Sequence, residues 1–483
     1  MSESPSVDQQ DFDAPLVAAW QRAMAAARRP LQIPGHKNRY AADAPALGDD
    51  LLRSLVRDDL PLQGGVDDNA FTHHYLAQAE ALWSAAVGAD HCRFLVGGSS
   101  QGNIAALSTI THPDRPVAVD RTSHRSTHAA LVITGARPVW IYPDLDPEFR
   151  LPIGIPAADL QGVSADVTGC FVTSPSYVGS LSDVPGLAAA AHARGIPLVV
   201  DQAWGAHLGF LPGRGALAQG ADVAVTSVHK ALMGYSQTAV LSMRAGLVGR
   251  GQLDRCVDLV ATTSPSGTLL ASIDATRAVL ERDGGAALDR TMELVTGMRR
   301  RLSAVPGVVV LDDSNVPGGV DPFKVSLWLP RTGASGVDLN QRLWDLGHGP
   351  ESADRDTLVL TMTLLDEPAF VDEVTDCLIA LIEEGRGEPR AGASAAVWSN
   401  EPEVVVTPRE AFFASRRRIP LADAIGEVSA EQFCPYPPGI PLLAPGERVT
   451  QETVDAIAIA GRVGRVAYCS DPTLRTIEVV DSL

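Results

Sequence analysis

The sequence predicts an α/β protein built on a mostly parallel sheet of seven strands, with two smaller units after it. From about residue 90 to residue 243, short β-branched apolar runs alternate with Ala-rich segments of helical length. Strands that are apolar throughout and separated by helices are typical of a parallel sheet covered on both faces. The predicted strands are Cys92–Val96, Pro116–Val119, Pro138–Tyr142, Gly169–Thr173, Ile196–Val200, Asp222–Thr226 and Ala239–Met243.

Helices are predicted between most of these strands, at Asn103–Ile110, His124–Ile133 and Pro185–Arg194. A long helical region then extends from Leu269 to Val305, with an interruption at Gly284-Gly285, because glycine is a poor helix former. A smaller α/β unit follows, with strands near Val308–Leu311, Lys324–Leu329 and Leu358–Met362 and helices near Val337–Leu346 and Ala369–Glu384.

These elements divide the chain into four parts. We predict an N-terminal arm at 1–45, a large domain at 46–268, a small α/β domain at 269–390 and a C-terminal domain at 391–483. The arm contains one short amphipathic stretch, and the Gly- and Pro-containing segment 385–397 is predicted to be a linker.

Composition excludes several classes of protein. The 483 residues are 45% hydrophobic and 20% charged, which is ordinary for a globular chain and too apolar for disorder. The formal charge of −19 argues against nucleic acid and anionic membranes as partners, because both require a basic surface. Single, scattered cysteines, an acidic N-terminus and apolar runs shorter than the ~18 residues of a membrane span predict a cytoplasmic protein.

A Gly-rich turn follows the first predicted strand and opens a helix. This turn, Gly97–Asn103, has free backbone N–H groups and two serine hydroxyls, which suit an anion. It lacks the spacing of a dinucleotide-binding turn and the Lys-Ser/Thr pair of a P-loop. A phosphate cradle and an ordinary strand–helix turn are about equally compatible with it.

An acid and a lysine follow two other strands of the predicted sheet. Asp201 comes after the strand at 196–200, and Lys230, one of only three lysines, comes shortly after the strand at 222–226. The carboxyl ends of parallel strands meet at one edge of a sheet, where ligands bind. Taken alone, Asp201 could be an ordinary helix cap, and Lys230 could be an ordinary surface lysine. Together with the Gly-rich turn, their order indicates a pyridoxal phosphate site, which needs an anion cradle, a carboxylate and a Schiff-base lysine.

A histidine opens the helix after the second strand. The ring of His124 could stack on a pyridine ring at the same edge of the sheet. His124 and His128 are also four residues apart on that helix, a spacing found in metal sites. Because no third ligand is near them in sequence, no metal is predicted.

Eight segments carry a resemblance to a known family. The chain resembles the Orn/Lys/Arg decarboxylases, pyridoxal-phosphate enzymes of the aspartate-aminotransferase (type I) fold. The resemblance covers nearly the whole chain in the family's order. The matching segments are Ile33–Lys37, Gly98–Asn103, Ser123–Ser126, Thr173–Tyr177, Asp201–His207, Ser227–Lys230, Thr262–Ser266 and Cys434–Glu447.

The resemblance implies a role for each candidate residue. Lys230 would carry the cofactor, Asp201 would pair with its pyridinium nitrogen, His124 would stack on its ring and His229 would lie beside the reacting carbon. Thr263 and Ser264 would reach the phosphate of a neighbouring chain. The remaining predicted cofactor-binding residues are Ser99, Ser100, Gln101, Ala203, Trp204 and Ser227.

The implied activity is the α-decarboxylation of arginine, lysine or ornithine to the amine and carbon dioxide, as part of polyamine biosynthesis. The implied assembly is a homodimer or a higher even oligomer. Another type I reaction, such as transamination, elimination or aldol cleavage, remains an alternative, because a fold does not fix its chemistry. A protein of this family that binds the cofactor without catalysing a reaction also remains an alternative.

Two departures from the family pattern bear on these expectations. Gln202 stands where many relatives carry Glu, which would remove a negative charge near the cofactor and bears on substrate preference. The segment Ile33–Lys37 lies close to the N-terminus, so we expect no N-terminal wing domain of the kind present in the large acid-induced members.

Overall fold

The structure is a computed structural model, and it describes residues 13–25, 58–67, 74–146, 148, 151–163, 166–392, 401–436, 439–463 and 466–482. Most of the predicted arm, including the motif Ile33–Lys37, lies outside the described residues. So does the second half of the predicted linker. None of the helices within the described ranges is long and apolar enough to cross a membrane.

The large sheet has the seven predicted strands, each within about two residues of its predicted position. They are β1 (His91–Leu95), β2 (Val117–Asp120), β3 (Pro138–Ile141), β4 (Cys170–Thr173), β5 (Leu198–Asp201), β6 (Val223–Ser227) and β7 (Ala239–Met243). Across the sheet the order is β1-β7-β6-β5-β4-β2-β3. Strands β2 to β6 are parallel, and β7 is antiparallel to both β1 and β6. The predicted mostly parallel sheet is therefore confirmed.

Helices cover this sheet on both faces, which is why its central strands are mostly apolar and buried. The described helices of the large domain are α1 (Pro15–Ala25), α2 (Tyr75–Val87), α3 (Gly98–Ile110), α4 (Arg125–Thr134), α5 (Ala157–Gly162), α6 (Val184–Ala193), α7 (Val228–Ala231) and α8 (Arg250–Val260). Short helical turns lie at Leu62–Val66 and Ala206–Phe210. One core includes side chains of α3, α4 and α8, and another includes side chains of α5 and α6.

One long helix connects the large domain to the small one. Helix α9 extends from Gly267 to Ser303 without a break, so the interruption predicted at Gly284-Gly285 is wrong. Each glycine costs about 1 kcal/mol relative to alanine in a helix. Packing of α9 against α1, α2 and the small domain outweighs that cost. Gly284 itself is buried, where an added Cβ would lie 3.2 Å from the Leu280 side chain.

The small domain is a four-stranded antiparallel sheet with helices packed on it. Its strands are β8 (Val309–Val310), β9 (Lys324–Trp328), β10 (Ser352–Ala353) and β11 (Thr357–Thr361), in the order β10-β11-β9-β8. Its helices are α10 (Gly336–Asp345) and α11 (Pro368–Glu384), and a short turn lies at Pro330–Thr332. Strand β10 has no counterpart in the prediction, because it is two residues long and not apolar.

The C-terminal segment packs against the large domain. It contains α12 (Pro408–Phe413), β12 (Ser415–Pro420), a turn at Leu421–Asp423, β13 (Cys434–Pro435), α13 (Gln451–Val463), β14 (Val466–Ala467) and β15 (Thr476–Ser482). Arg121, just after β2, forms a buried two-point ion pair with Glu447 at 2.8 and 2.9 Å. Breaking such a pair is costly, because it leaves an uncompensated buried charge. The ion pair therefore fixes the C-terminal segment beside the carboxyl edge of the large sheet.

Candidate active site

A pocket of about 430 Å³ lies at the carboxyl edge of the large sheet, between the large domain, the small domain and the C-terminal segment. Seven of the predicted site residues line it: Ser99, His124, Asp201, Ala203, Trp204, His229 and Lys230. A larger cavity of about 690 Å³ adjoins it, and none of the predicted site residues lines that cavity. The candidate chemistry therefore belongs to the smaller pocket.

Asp201 is the last residue of β5 and only 3% exposed. Its Oδ2 accepts a hydrogen bond from Asn103 Nδ2 at 2.7 Å, and its Oδ1 accepts one from the Ala203 backbone N–H at 3.0 Å. Burial raises the pKa of the Asp201 carboxyl, while the positive charge of Lys230 opposes that change. Both donors to this carboxylate are uncharged amides. A positively charged group that entered the pocket could therefore pair with it.

The position of His124 is fixed by Ser126. The Ser126 backbone N–H donates to His124 Nδ1 at 3.2 Å, and Ser126 Oγ lies 2.8 Å from the same nitrogen. Because Ser126 Oγ also accepts from Asn103 Nδ2 at 3.0 Å, its own proton is available to His124. Burial lowers the pKa of His124 to about 4, with the charge of Lys230 contributing. His124 is therefore neutral at physiological pH, with an unprotonated Nδ1 and a proton on Nε2.

Asn103 thus connects two predicted site residues through one amide. It donates both to Asp201 and to the serine that holds His124, and it is 1% exposed. Sequence reasoning placed Asn103 within a matching segment but gave it no role. Its two hydrogen bonds join residues of α3, α4 and β5, so they can be recognised only in the assembled fold.

Lys230 lies in the short helix α7 after β6 and lines the pocket. Its Nζ lies 3.8 Å from the centroid of the Trp204 ring. Burial lowers the pKa of the Lys230 amine, although the negative charges of Asp201 and Glu351 oppose this. A lysine with a lowered pKa has a larger fraction of neutral amine near neutral pH, and it is therefore a better nucleophile.

His229 lies next to Lys230 and also faces the pocket. Its Nδ1 is 2.9 Å from the backbone carbonyl oxygen of Thr238, so that nitrogen carries the proton of the neutral ring. Burial lowers the pKa of His229, with the charge of Lys230 acting in the same direction. The other ring nitrogen, Nε2, is consequently a proton acceptor rather than a donor.

The residues predicted to hold the phosphate lie in different environments. Ser99 lines the pocket, Ser100 is exposed, and Ser227 is fully buried with an Oγ that has no partner among the described atoms. Gln101 Oε1 accepts the Gly97 backbone N–H at 2.9 Å and so stabilises the turn itself, while the predicted contact of Gln101 with the phosphate stays a prediction. The turn closes through Gly98, whose φ of 69° favours glycine.

Thr263 and Ser264 are both exposed and do not line the pocket of their own chain. They belong to a short loop between α8 and α9, in which the Ser264 backbone N–H donates to Thr262 Oγ1 at 3.3 Å. Their predicted contact with the phosphate of a neighbouring chain stays a prediction.

Gln202 is 2% exposed and is built into the loop after β5. Its Nε2 donates to the Gly205 carbonyl at 2.5 Å, and its Oε1 accepts the Ala216 backbone N–H at 2.7 Å. Its side chain lines the neighbouring, larger cavity instead of the candidate pocket. In this chain the residue therefore has a structural role in the loop, and it is not placed to select the substrate.

We expect Gln202→Glu to lower the free energy of unfolding by about 2–3 kcal/mol at neutral pH, because an ionised carboxylate cannot donate to the Gly205 carbonyl. Burial would raise the pKa of the new carboxyl, so its neutral form favours folding and the loss should grow as pH rises above about 4.3. Urea unfolding at about pH 5 and pH 8 measures this difference. Gln78→Glu, on an exposed position of α2, is the control, and an equal effect in both variants would contradict the role of Gln202.

Sequence reasoning gave no role to several of the residues that line the pocket, among them Glu351 and Tyr436. Glu351, just before β10, and Tyr436, just after β13, both line the pocket. Neither lies next to a core strand of the large sheet, and Glu351 belongs to no matching segment. Their contribution depends on how the small domain and the C-terminal segment pack on the large domain, which has no local signal in sequence.

No group of three or more metal-ligating side chains occurs within the part of the chain that the structure describes. His128, the second residue of the pair on α4, is 2% exposed and packs against Trp140 with ring centroids 5.2 Å apart. It is therefore a packing residue of the large domain.

Comparisons with known proteins agree with the geometry. The family described as "Orn/Lys/Arg decarboxylase, major domain" matches residues 14–330, and its C-terminal domain matches residues 391–461. An arginine decarboxylase of Bacillus subtilis is 31% identical over 94% of this chain and 96% of its own. One of Halalkalibacterium halodurans is 30% identical over 93% and 94%. The structure of lysine decarboxylase A from Pseudomonas aeruginosa has a TM-score of 0.80 at 20% identity, covering 97% of this chain and 81% of that one.

Proposed function

Because the chain belongs to the Orn/Lys/Arg decarboxylase family, we propose that it decarboxylates a basic amino acid with the help of pyridoxal phosphate. Arginine is the substrate we favour, since relatives that are about 30% identical over nearly the whole chain are arginine decarboxylases. The product amine would serve polyamine biosynthesis. The observation that carries the proposal is the convergence of Asp201, His124 and Lys230 on one pocket.

The residues of this pocket fit pyridoxal phosphate. Asp201 offers a buried carboxylate to the ring nitrogen, Lys230 offers an amine to the aldehyde, and His124 forms a wall for the ring. The Gly-rich turn at the start of α3, with Ser99, and the unpartnered hydroxyl of Ser227 suit the phosphate. When bound, this cofactor supplies an electron-poor ring that accepts the electron pair left by the departing carboxylate.

The residues of this chain would divide the proton chemistry among them. Asp201 would hold the proton on the ring nitrogen, because its carboxylate lines the pocket and is fixed in place by hydrogen bonds from Asn103 and the Ala203 backbone. His229 would not return a proton to the α-carbon, since its Nδ1 proton is committed to Thr238 and its Nε2 carries none. We therefore assign that proton to Lys230 Nζ.

Glu351 is our candidate for binding the distal cation of the substrate. Its exposed carboxylate lies on the pocket wall that the small domain provides, and its charge acts on Lys230 and on Lys324. A guanidinium or ammonium group entering the pocket would meet this carboxylate with charge-assisted hydrogen bonds.

We expect Glu351→Gln to raise the KM for arginine by about tenfold or more, because a hydrogen bond to a charged group is worth about 1.5–3 kcal/mol. The value of kcat should change less, since the group acts on the distal end of the substrate. Steady-state assays with arginine, lysine and ornithine measure both parameters for each substrate. The control is Glu373→Gln, an exposed glutamate on α11. Equal KM values for wild type and Glu351→Gln would contradict this assignment.

We also propose a homodimer whose two sites are shared, with Thr263 and Ser264 of one chain beside the phosphate of the other. The exposed loop between α8 and α9 supports this, because its hydroxyl groups are free of the pocket of their own chain. An isologous two-fold interface would place both copies of the loop symmetrically.

Mixing two inactive variants tests the shared site. Lys230→Ala and Ser264→Glu should each be inactive alone, and random exchange of subunits should restore about a quarter of wild-type activity, since half of the dimers carry one intact site. A double variant, Lys230→Ala with Ser264→Glu, mixed with Lys230→Ala is the control and should show no recovery. Absence of recovery after exchange has been demonstrated would contradict a shared site.

A further inference from the structure

A second buried lysine contacts the same aromatic ring as Lys230. Lys324, the first residue of β9, is 1% exposed, and its Nζ lies 3.6 Å from the centroid of the Trp204 ring. The Nζ of Lys230 lies 3.8 Å from that centroid. The indole therefore contacts two lysine amino groups at once, one from the large domain and one from the small domain.

Lys324 is held tightly in this position. Its ammonium donates to Thr361 Oγ1 at 2.7 Å, and Arg299 Nε donates to its backbone carbonyl at 3.0 Å. Gly179 packs so closely that an added Cβ would lie 2.8 Å from the Lys324 Cβ. The side chain can thus neither withdraw from Trp204 nor reach solvent.

Keeping a cation at this place costs folding free energy. Burial lowers the pKa of Lys324 to about 8, with the charge of Lys230 acting in the same direction and those of Glu351 and Asp321 opposing it. A lysine whose pKa is lowered by folding destabilises the protein wherever it is protonated, which includes neutral pH. A buried methionine would fill this volume without the cost, so the charge itself has a use.

We propose that Lys324 is a positioning residue that increases the nucleophilicity of Lys230 across the indole of Trp204. This rests on the proposed role of Lys230 as the cofactor lysine. Coupling between two charges is reciprocal, so the cation on Lys324 disfavours the cation on Lys230 as much as the reverse. The neutral amine of Lys230 adds to an aldehyde carbon, a C=N bond forms, and the oxygen leaves as water with both amine protons.

Other charged groups also face the two lysines. Asp201 and Glu351 favour the cation on Lys230, whereas neighbouring His124 and His229 are neutral. Asp321, whose Oδ1 lies 2.8 Å from His207 Nε2, and Glu351 favour the cation on Lys324. These three acidic groups offset part of the repulsion, but they are present in every variant, so a comparison between variants isolates the effect of Lys324.

The test measures the amine of Lys230 directly, in protein freed of cofactor. Limiting formaldehyde with cyanoborohydride methylates neutral amines, and mass spectrometry of the Lys230 peptide gives its rate, with Lys37 as the internal standard. At about pH 7 we expect Lys324→Met to slow the labelling of Lys230 several-fold, because removal of the neighbouring positive charge leaves more of the Lys230 amine protonated. At about pH 11, where both amines are neutral, the rates of the two proteins should converge.

Two further variants keep the proposal falsifiable. Lys324→Arg retains the cation and should label at the wild-type rate, and Arg342→Met removes a partly exposed cation from α10 and should also leave the rate unchanged. A wild-type rate for Lys324→Met at about pH 7, or a rate reduced by the same factor at about pH 11, would overturn the proposal. Failure of the cofactor to attach to Lys230 would instead refute the proposed function, and borohydride fixation of added cofactor shows that separately.

Discussion

Lys230→Met should lose decarboxylase activity by about 10⁴-fold or more, because the same amine attaches the cofactor and returns a proton to the α-carbon. The pocket that holds this amine is assembled from strand ends of the large sheet and does not depend on it. Borohydride should therefore fix the cofactor to one wild-type peptide, the one that contains Lys230, and to no peptide of the variant. Steady-state release of carbon dioxide and peptide mass spectrometry measure the two outcomes.

The lysine content of the chain makes this test sharp. Only Lys37, Lys230 and Lys324 are present, so a fixed cofactor has three possible side-chain sites. Attachment to Lys37 or Lys324 would refute the assignment of Lys230. Thermal unfolding of the variant should resemble that of wild type without cofactor, because loss of the contact between Lys230 Nζ and the Trp204 ring is offset by relief of the desolvation cost of the buried amine.

Asp201→Asn should reduce turnover by about 10²–10³-fold while the fold survives. The amide has nearly the same shape as the carboxylate but provides no negative charge to keep a proton on the ring nitrogen. Its single oxygen replaces only one of the two acceptors that Asn103 and Ala203 use, at a cost of about 1 kcal/mol. That cost is offset by removal of a buried charge, since burial raises the pKa of the Asp201 carboxyl.

The matched control for this prediction is Asp222→Asn. Asp222 immediately precedes β6 and is buried, and its Oδ2 accepts the Leu198 backbone N–H at 2.8 Å, so it lies at the opposite edge of the same sheet. Its replacement should lower stability and leave kcat/KM close to that of wild type. Equal turnover in wild type and Asp201→Asn would remove Asp201 from the mechanism.

The large sheet could be predicted from sequence because its signal is local. Most of its strands are short, mainly apolar runs, and burial on both faces requires this composition. The same locality explains the error in α9. The low helix propensity of glycine predicted a break at Gly284-Gly285. Tertiary packing along the helix outweighs that propensity, and no local sequence pattern indicates this packing.

The candidate site was predictable to the extent that it lies on strand ends. Asp201, Lys230 and His124 each follow a strand or open a helix, so their convergence follows from the topology of a parallel sheet. Asn103 and Glu351 were missed for another reason. One acts through hydrogen bonds within the assembled large domain, and the other reaches the pocket from the small domain.

Gln202 shows the converse limit of sequence reasoning. A Gln in place of a family Glu suggests a change in charge near the cofactor, yet the side chain is bonded within its own loop and faces a different cavity. Which way a side chain points at the end of a strand depends on the turn that follows it. That turn is set by contacts with Gly205 and Ala216, and neither contact is encoded in the motif.

The central claim is that this pocket removes the carboxyl group of a basic amino acid. The most direct measurement supplies purified protein and pyridoxal phosphate with arginine labelled at its carboxyl carbon. Carbon dioxide and amine are then quantified together. The account predicts labelled carbon dioxide and amine in equal amounts, lost in Lys230→Met. Formation of a keto acid in place of the amine, or no carbon dioxide from arginine, lysine or ornithine, would contradict it.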